Sequence, residues 1–128
     1  MKRSMMAIAL AVLLLWLAGY QVRSAAAKAE QVVTMGSNTF GQTSMTIKQG
    51  QTITFVDERA TGTEHILVIG KEGVAQPESG APNFQGSKGI TFLPGHSWTS
   101  PPWTTSGTYH VTCTVHPTTM NLTVLVTT

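Results

Sequence analysis

The chain has one cysteine in 128 residues, Cys113, so an intramolecular disulfide is excluded and the thiol must serve another purpose. Charge is also scarce: Asp, Glu, Lys and Arg make up 11% of the residues. Half of the basic residues (Lys2, Arg3, Arg23 and Lys28) fall before position 30. From Glu30 onward four basic residues, Lys48, Arg59, Lys71 and Lys88, stand against six acidic ones, a net charge of −2. No basic stripe remains, which argues against nucleic acid as a partner. Histidine is limited to His65, His96, His110 and His116. Beyond residue 30 no stretch shows a convincing helical period, and there is neither an internal repeat nor a low-complexity tract. A chain of this length suits one domain.

The first 29 residues read as a targeting segment. Lys2 and Arg3 form a positive n-region, Met5 to Tyr20 is a nearly continuous apolar run, and Ala25-Ala26-Ala27 or Ala27-Lys28-Ala29 fits a small-x-small cleavage site. The competing reading is an uncleaved anchor, since Ser4 to Val22 carries no charge and is just long enough to span a bilayer. Both readings place residues 30–128 outside the cytoplasm, in the periplasm or on the extracytoplasmic face of a membrane. The anchor reading adds membrane association through this segment.

The remainder is rich in Thr, Val, Gly and Pro, and alternates. Ile53 and Phe55 share a face, as do Met45 and Ile47, and Gly50 lies between these two runs, so they are expected to form a hairpin. Thr63–Gly70 is a third clear strand. Lys71–Gly89 reads as a long loop of the kind that often carries function. In Thr108–Cys113 the alternation puts Tyr109, Val111 and Cys113 on one face, with His110 and Thr112 on the other. Asn121–Val126 closes the chain. About eight short strands broken by turn residues predict an all-β fold, a Greek-key sandwich or barrel. Trp98, Trp103 and Tyr109 are expected in the core, and Asn121-Leu122-Thr123 reads as a chance match to a glycosylation sequon because it begins a strand.

Cys113-x2-His116-x3-Met120 puts a soft thiolate, an imidazole and a thioether within eight residues. A Cys thiolate and two imidazoles in a plane with a distant axial Met form the type 1, or blue-copper, donor set. Cu(I) favours soft sulfur and low coordination; Cu(II) favours nitrogen. A rigid site between the two changes little when an electron moves, so transfer is fast. The second imidazole is assigned to His65, on a strand that a sandwich can place beside the one ending at Cys113. His96, in a turn, and His110, on the face opposite Cys113, are not expected to ligate. The expected metal site is therefore His65, Cys113, His116 and Met120, holding one copper ion.

Taken together, the His65 strand, Pro94–Ser100, and the run from Gly107 through Cys113, His116 and Met120 to Val126 resemble a cupredoxin of the plastocyanin, pseudoazurin and amicyanin group over roughly residues 30–128. The resemblance implies a single copper on those four residues and a one-electron carrier, not an enzyme. Transient redox partners would dock near His116, with Pro117 and Ala81-Pro82 as an apolar patch, and the chain would act as a monomer. Two departures stand out. Three residues separate His116 from Met120, one more than in amicyanin-like loops and one fewer than in plastocyanin-like loops. Ile66 follows His65 where many members carry Asn or Ser bonded to the Cys loop, so here backbone bonds or another side chain must brace that loop. The alternative function is copper storage or delivery, although no exposed Met/His cluster of the kind such proteins use is visible. Catalysis of the multicopper type would need more histidines than the chain has, and a dinuclear site would need a second cysteine.

Overall fold

Alternating β-branched and aromatic residues favour a pleated, half-buried surface, and in the computed structural model, which describes residues 31–128, they form nine strands. The expected leader, residues 1–29, lies outside the described residues. The strands are β1 (Val32–Met35), β2 (Ser44–Lys48), β3 (Thr54–Asp57), β4 (His65–Lys71), β5 (Val74–Ala75), β6 (Ile90–Phe92), β7 (Ser97–Thr99), β8 (Gly107–Cys113) and β9 (Asn121–Thr127). One sheet has the order β1-β3-β7. The other runs β2-β9-β8-β4-β5, with β6 also paired to β4. This is the expected Greek-key sandwich, with one strand more than the rough count. The extra strand, β5, lies inside the stretch read as loop. It is a two-residue hairpin off β4 through Glu72 and Gly73, whose φ values of 51° and 75° are the pair of positive angles that a type I′ turn requires.

The expected hairpin of residues 44–57 does not form. β2 runs parallel to β9 in one sheet, and β3 runs parallel to β1 in the other. The Gly50 turn carries the chain across the sandwich. Its hydrogen bonds go to distant elements: Gln49 N–H donates to Thr127 O at 2.8 Å and Gly50 N–H to Trp103 O at 2.8 Å. Ile47 and the Ile53–Phe55 pair therefore enter the core from facing sheets, burying apolar surface on both sides.

Between the sheets, Phe84 sits 5.8 Å from Phe55, 4.9 Å from Trp98 and 6.2 Å from Trp103 in edge-on arrangements that suit aromatic quadrupoles. Trp103 and Tyr109 are buried and Trp98 packs against the cluster, as expected. The long segment after β5 covers β4 and is tied to β8 by Glu78. That carboxylate accepts the His110 backbone N–H at 2.7 Å and faces the His110 ring Nδ1 at 3.0 Å. β4 is consequently buried from His65 to Gly70 except at Ile66. β8 pairs antiparallel with β4, opposing Cys113 to Leu67, and antiparallel with β9, opposing Thr112 to Asn121. These two ladders bring the histidine of β4 to the end of β8.

Candidate metal centre

Side chains two residues apart on a strand share a face. Leu67 opposes Cys113, so His65, two residues earlier, lies on the Cys113 face just beyond the end of β8. The Sγ of Cys113 stands 3.9 Å from Nδ1 of His65 and 3.9 Å from Nδ1 of His116. The donor atoms of the three residues all lie within 4.8 Å of one another. A point equidistant from three atoms so spaced is no more than about 2.5 Å from each, close to ordinary metal–sulfur bonds of about 2.3 Å and metal–imidazole bonds of about 2.0 Å. The chemistry also fits, with one thiolate and two imidazoles, a set suited to copper or zinc.

His65 is fully buried, and its Nε2 lies 2.8 Å from the carbonyl of Gly36. A carbonyl only accepts, so Nε2 carries the proton and Nδ1 presents its lone pair toward Cys113. His116 is half-buried, with its ring centroid 5.1 Å from that of His65. Burial, with a smaller push from His65, holds its pKa below the ordinary 6.5, so the ring stays neutral and available as a donor near neutral pH. The folded state then binds fewer protons at His116 than the unfolded chain. Stability of the metal-free protein is therefore expected to rise with pH from the lowered folded value up to 6.5 and to be lost as pH falls through it. Urea midpoints of wild type and His116→Gln across that window check this; the variant should lose that part of the slope.

The loop between β8 and β9 is folded back on itself. Met120 N–H donates to His116 O at 3.0 Å, and Cys113 N–H to Met120 O at 3.1 Å, which pins Met120 beside the cysteine. Met120 has no exposed surface and belongs to the core cluster. Thr114 N–H donates to Ile66 O at 2.9 Å, so the main chain of residue 66 braces the loop in place of a polar side chain. The second brace is Asn121. Its Oδ1 accepts from Glu72 N–H at 2.8 Å and from the Thr112 hydroxyl at 2.9 Å, and its Nδ2 donates to Pro117 O at 2.9 Å. Thr112 in turn accepts Gly73 N–H at 2.8 Å. The β4–β5 hairpin tip is thereby fastened to the ligand loop, and Gly73 packs so closely on Pro117 that a Cβ there would collide with it. Asn121→Ala removes three hydrogen bonds around one turn and is expected to cost about 1–3 kcal/mol. Urea unfolding of the metal-free protein, with amide exchange of residues 114–120 as the local readout, measures it.

The structure thus brings His65, Cys113 and His116 together and buries Met120 on the same loop. His96 is exposed in its turn, and His110 is engaged with Glu78, so neither joins the cluster. Sequence reasoning missed Asn121, seen only as a sequon and the start of the last strand, and the role of Thr112, which lies on the face opposite Cys113 and is nonetheless fully buried. It also missed Asp57, which has no exposed surface and no hydrogen-bond partner on either carboxylate oxygen. Oδ1 of Asp57 lies 3.6 Å from Nε2 of His65. Burial pushes this carboxyl above the ordinary 3.8, while His65 and His96 pull it back. A signal for Asp57 was present: the alternation that puts Ile53 and Phe55 inward puts Asp57 inward too.

Amicyanin from Paracoccus versutus (Thiobacillus versutus) shares this fold, with a TM-score of 0.54 and 21% identity over 78% of this chain and 83% of that one. A reduced amicyanin variant gives 0.55 and 22% over 78% and 84%. An oxidized variant gives 0.55 and 19% over 80% and 87%. No curated protein matches the chain. The model of the family described as copper binding proteins, plastocyanin/azurin family, matches residues 27–127. That span takes in the β4 histidine and the whole loop from Cys113 to Met120, and the three converged donors are arranged for one copper ion. The chain belongs to the plastocyanin/azurin family of copper binding proteins.

Proposed function

We propose that this chain is an exported mononuclear blue-copper protein that carries single electrons between redox partners and is not an enzyme. The observation that carries the reading is the convergence of Cys113 Sγ and the two Nδ1 atoms at 3.9 Å, with one imidazole buried and the other reaching the surface. His65, Cys113 and His116 would hold the copper, with Met120 as a fourth, thioether donor. Bound copper supplies a Cu(II)/Cu(I) couple. The chain's part is to keep the donors in place and water out: Cys113, His65 and Met120 have no exposed surface, and the loop is tied down by Ile66, Thr112 and Asn121.

His116 is the half-exposed donor and would be the point of electron entry and exit. Around it stand Val115, 45% exposed, Pro117, and the hairpin carrying Val74, 64% exposed. This apolar rim suits the small interfaces of transient redox encounters. Ala81 and Pro82 line a hollow of ≈ 380 Å³ with Ile69 and Phe84, and the neighbouring Gly80 packs on Tyr109 and Thr105. Residues 1–29 would act as a signal peptide or anchor for the domain of residues 30–128, placing it in the periplasm or on the outer face of the membrane.

The test is a visible and EPR spectrum of the Cu(II)-loaded protein combined with a potentiometric titration. An intense blue colour that bleaches reversibly with one electron is expected; a colourless copper complex would overturn the reading. Slow electron exchange with ready release of copper would point to delivery instead.

A further inference from the structure

Asp57 is held in place by the fold although its carboxylate has no hydrogen bond. It follows the inward face of β3, and its main chain is pinned on both sides: Asp57 N–H donates to His96 O at 2.8 Å, and Gly95 N–H donates to Asp57 O at 2.9 Å. The turn above it leaves room for the carboxylate only because residue 62 is glycine. A Cβ at Gly62 would collide with Asp57 Oδ1 and with the Glu58 carbonyl. A shielded carboxylate without donors is costly; an apolar side chain would remove that cost, and an amide would remove the charge's share of it. The groups that face it are His65, His96 and Glu58. Of these, His65 is the proposed ligand, and Asp57 Oδ1 lies on the Nε2 side of its ring, away from Cys113. That Nε2–H already donates to Gly36 O at 2.8 Å. At 3.6 Å Asp57 adds a charge beside the proton rather than a second short hydrogen bond.

We propose that Asp57 is a positioning residue for the copper centre: from behind the His65 ring its carboxylate reinforces the tautomer that frees Nδ1 and biases the site toward the oxidised, more positive state. The inference rests on His65 being a copper ligand. The physical reason is Coulombic. A negative charge on the far side of a ligand ring stabilises the cupric centre more than the cuprous one, because the two differ by one positive charge. A carboxylate behind a ligating imidazole also raises the basicity of the donor nitrogen. At the effective dielectric near a protein surface, a unit charge several ångströms from the metal amounts to a bias of at least about tenfold.

The experiment compares wild type and Asp57→Asn, both copper-loaded. In the variant, the Cu(II)/Cu(I) equilibrium is expected to move about tenfold toward Cu(I), equivalent to about 59 mV upward for one electron. Cu(II) affinity should fall about tenfold more than Cu(I) affinity does, and the variant should remain blue. If Asp57→Asn does not fold, Asp57→Ser, neutral and smaller, carries the same expectation. A wild type that is blue with a variant within about twofold of it in both measurements overturns this inference and leaves the copper reading intact. A wild type that is never blue overturns both.

Discussion

Replacing Cys113 with serine is expected to give a folded domain that takes up no blue colour with Cu(II). The colour of a type 1 site comes from charge transfer out of a thiolate sulfur, and Cys113 is the only cysteine in the chain. Serine keeps the size of the side chain and removes the sulfur, and its hydroxyl does not ionise at neutral pH to replace the anion. The backbone bonds that shape the loop, Cys113 N–H to Met120 O and Thr114 N–H to Ile66 O, do not involve the sulfur, so the loop should keep its form. Because the position is fully buried, the new hydroxyl is expected to cost about 1–3 kcal/mol of stability. Cu(I) affinity should fall on the order of a hundredfold or more, since metal-site binding energy is shared among few ligands. Visible absorption, a competition titration and urea unfolding of the metal-free protein check the three parts. Blue colour in the serine variant would show that the sulfur is not a ligand.

The ligand loop was legible because its residues are adjacent in sequence and chemically rare: one cysteine, with a histidine and a methionine close behind. The strand pattern was legible for the same local reason, since a period of two needs only a few residues to declare itself. What could not be read was pairing. Residues 44–48 and 53–57 look like two arms of a hairpin because they are close in sequence, yet β2 belongs beside β9 and β3 beside β1. Only the facing sheets' need for an apolar filling decides this. The braces were hidden for a related reason. Asn121 and Thr112 look like ordinary strand polar residues until β8, β9 and the hairpin tip meet around them. Asp57 stood in an alternating run, but its significance depends on His65, which reaches it through a turn whose geometry no period encodes. Local chemistry thus pointed to the donors, and the tertiary arrangement supplied everything that positions them.

That division between site and scaffold can be tested from the opposite end of the sandwich, where Trp103→Ala is expected to cost about 3–5 kcal/mol. Trp103 is fully buried, tilted 5.7 Å from Tyr109 and 6.2 Å from Phe84. Its indole N–H donates to Ser100 Oγ at 3.0 Å, the same oxygen that accepts Ile53 N–H at 3.0 Å. Its main chain closes the Gly50 crossing, accepting Gly50 N–H at 2.8 Å and donating to Gln51 O at 2.9 Å. Truncation therefore opens a large cavity and removes a donor from Ser100. Small domains are stable by only about 5–15 kcal/mol, so such a loss takes a large share of the total. The copper centre should not respond in the same way. The β8–β9 ladder runs from Gly107 opposite Val126 to Thr112 opposite Asn121. Trp103 packs toward the first end through Tyr109, while the braces of the site cluster at the second. The copper-loaded variant should unfold at a much lower urea concentration, yet its folded fraction should show the wild-type visible and EPR spectra. A spectrum that shifts together with stability would mean that the whole core holds the donors; an unshifted one would mean that Gly36, Ile66, Thr112 and Asn121 hold them locally.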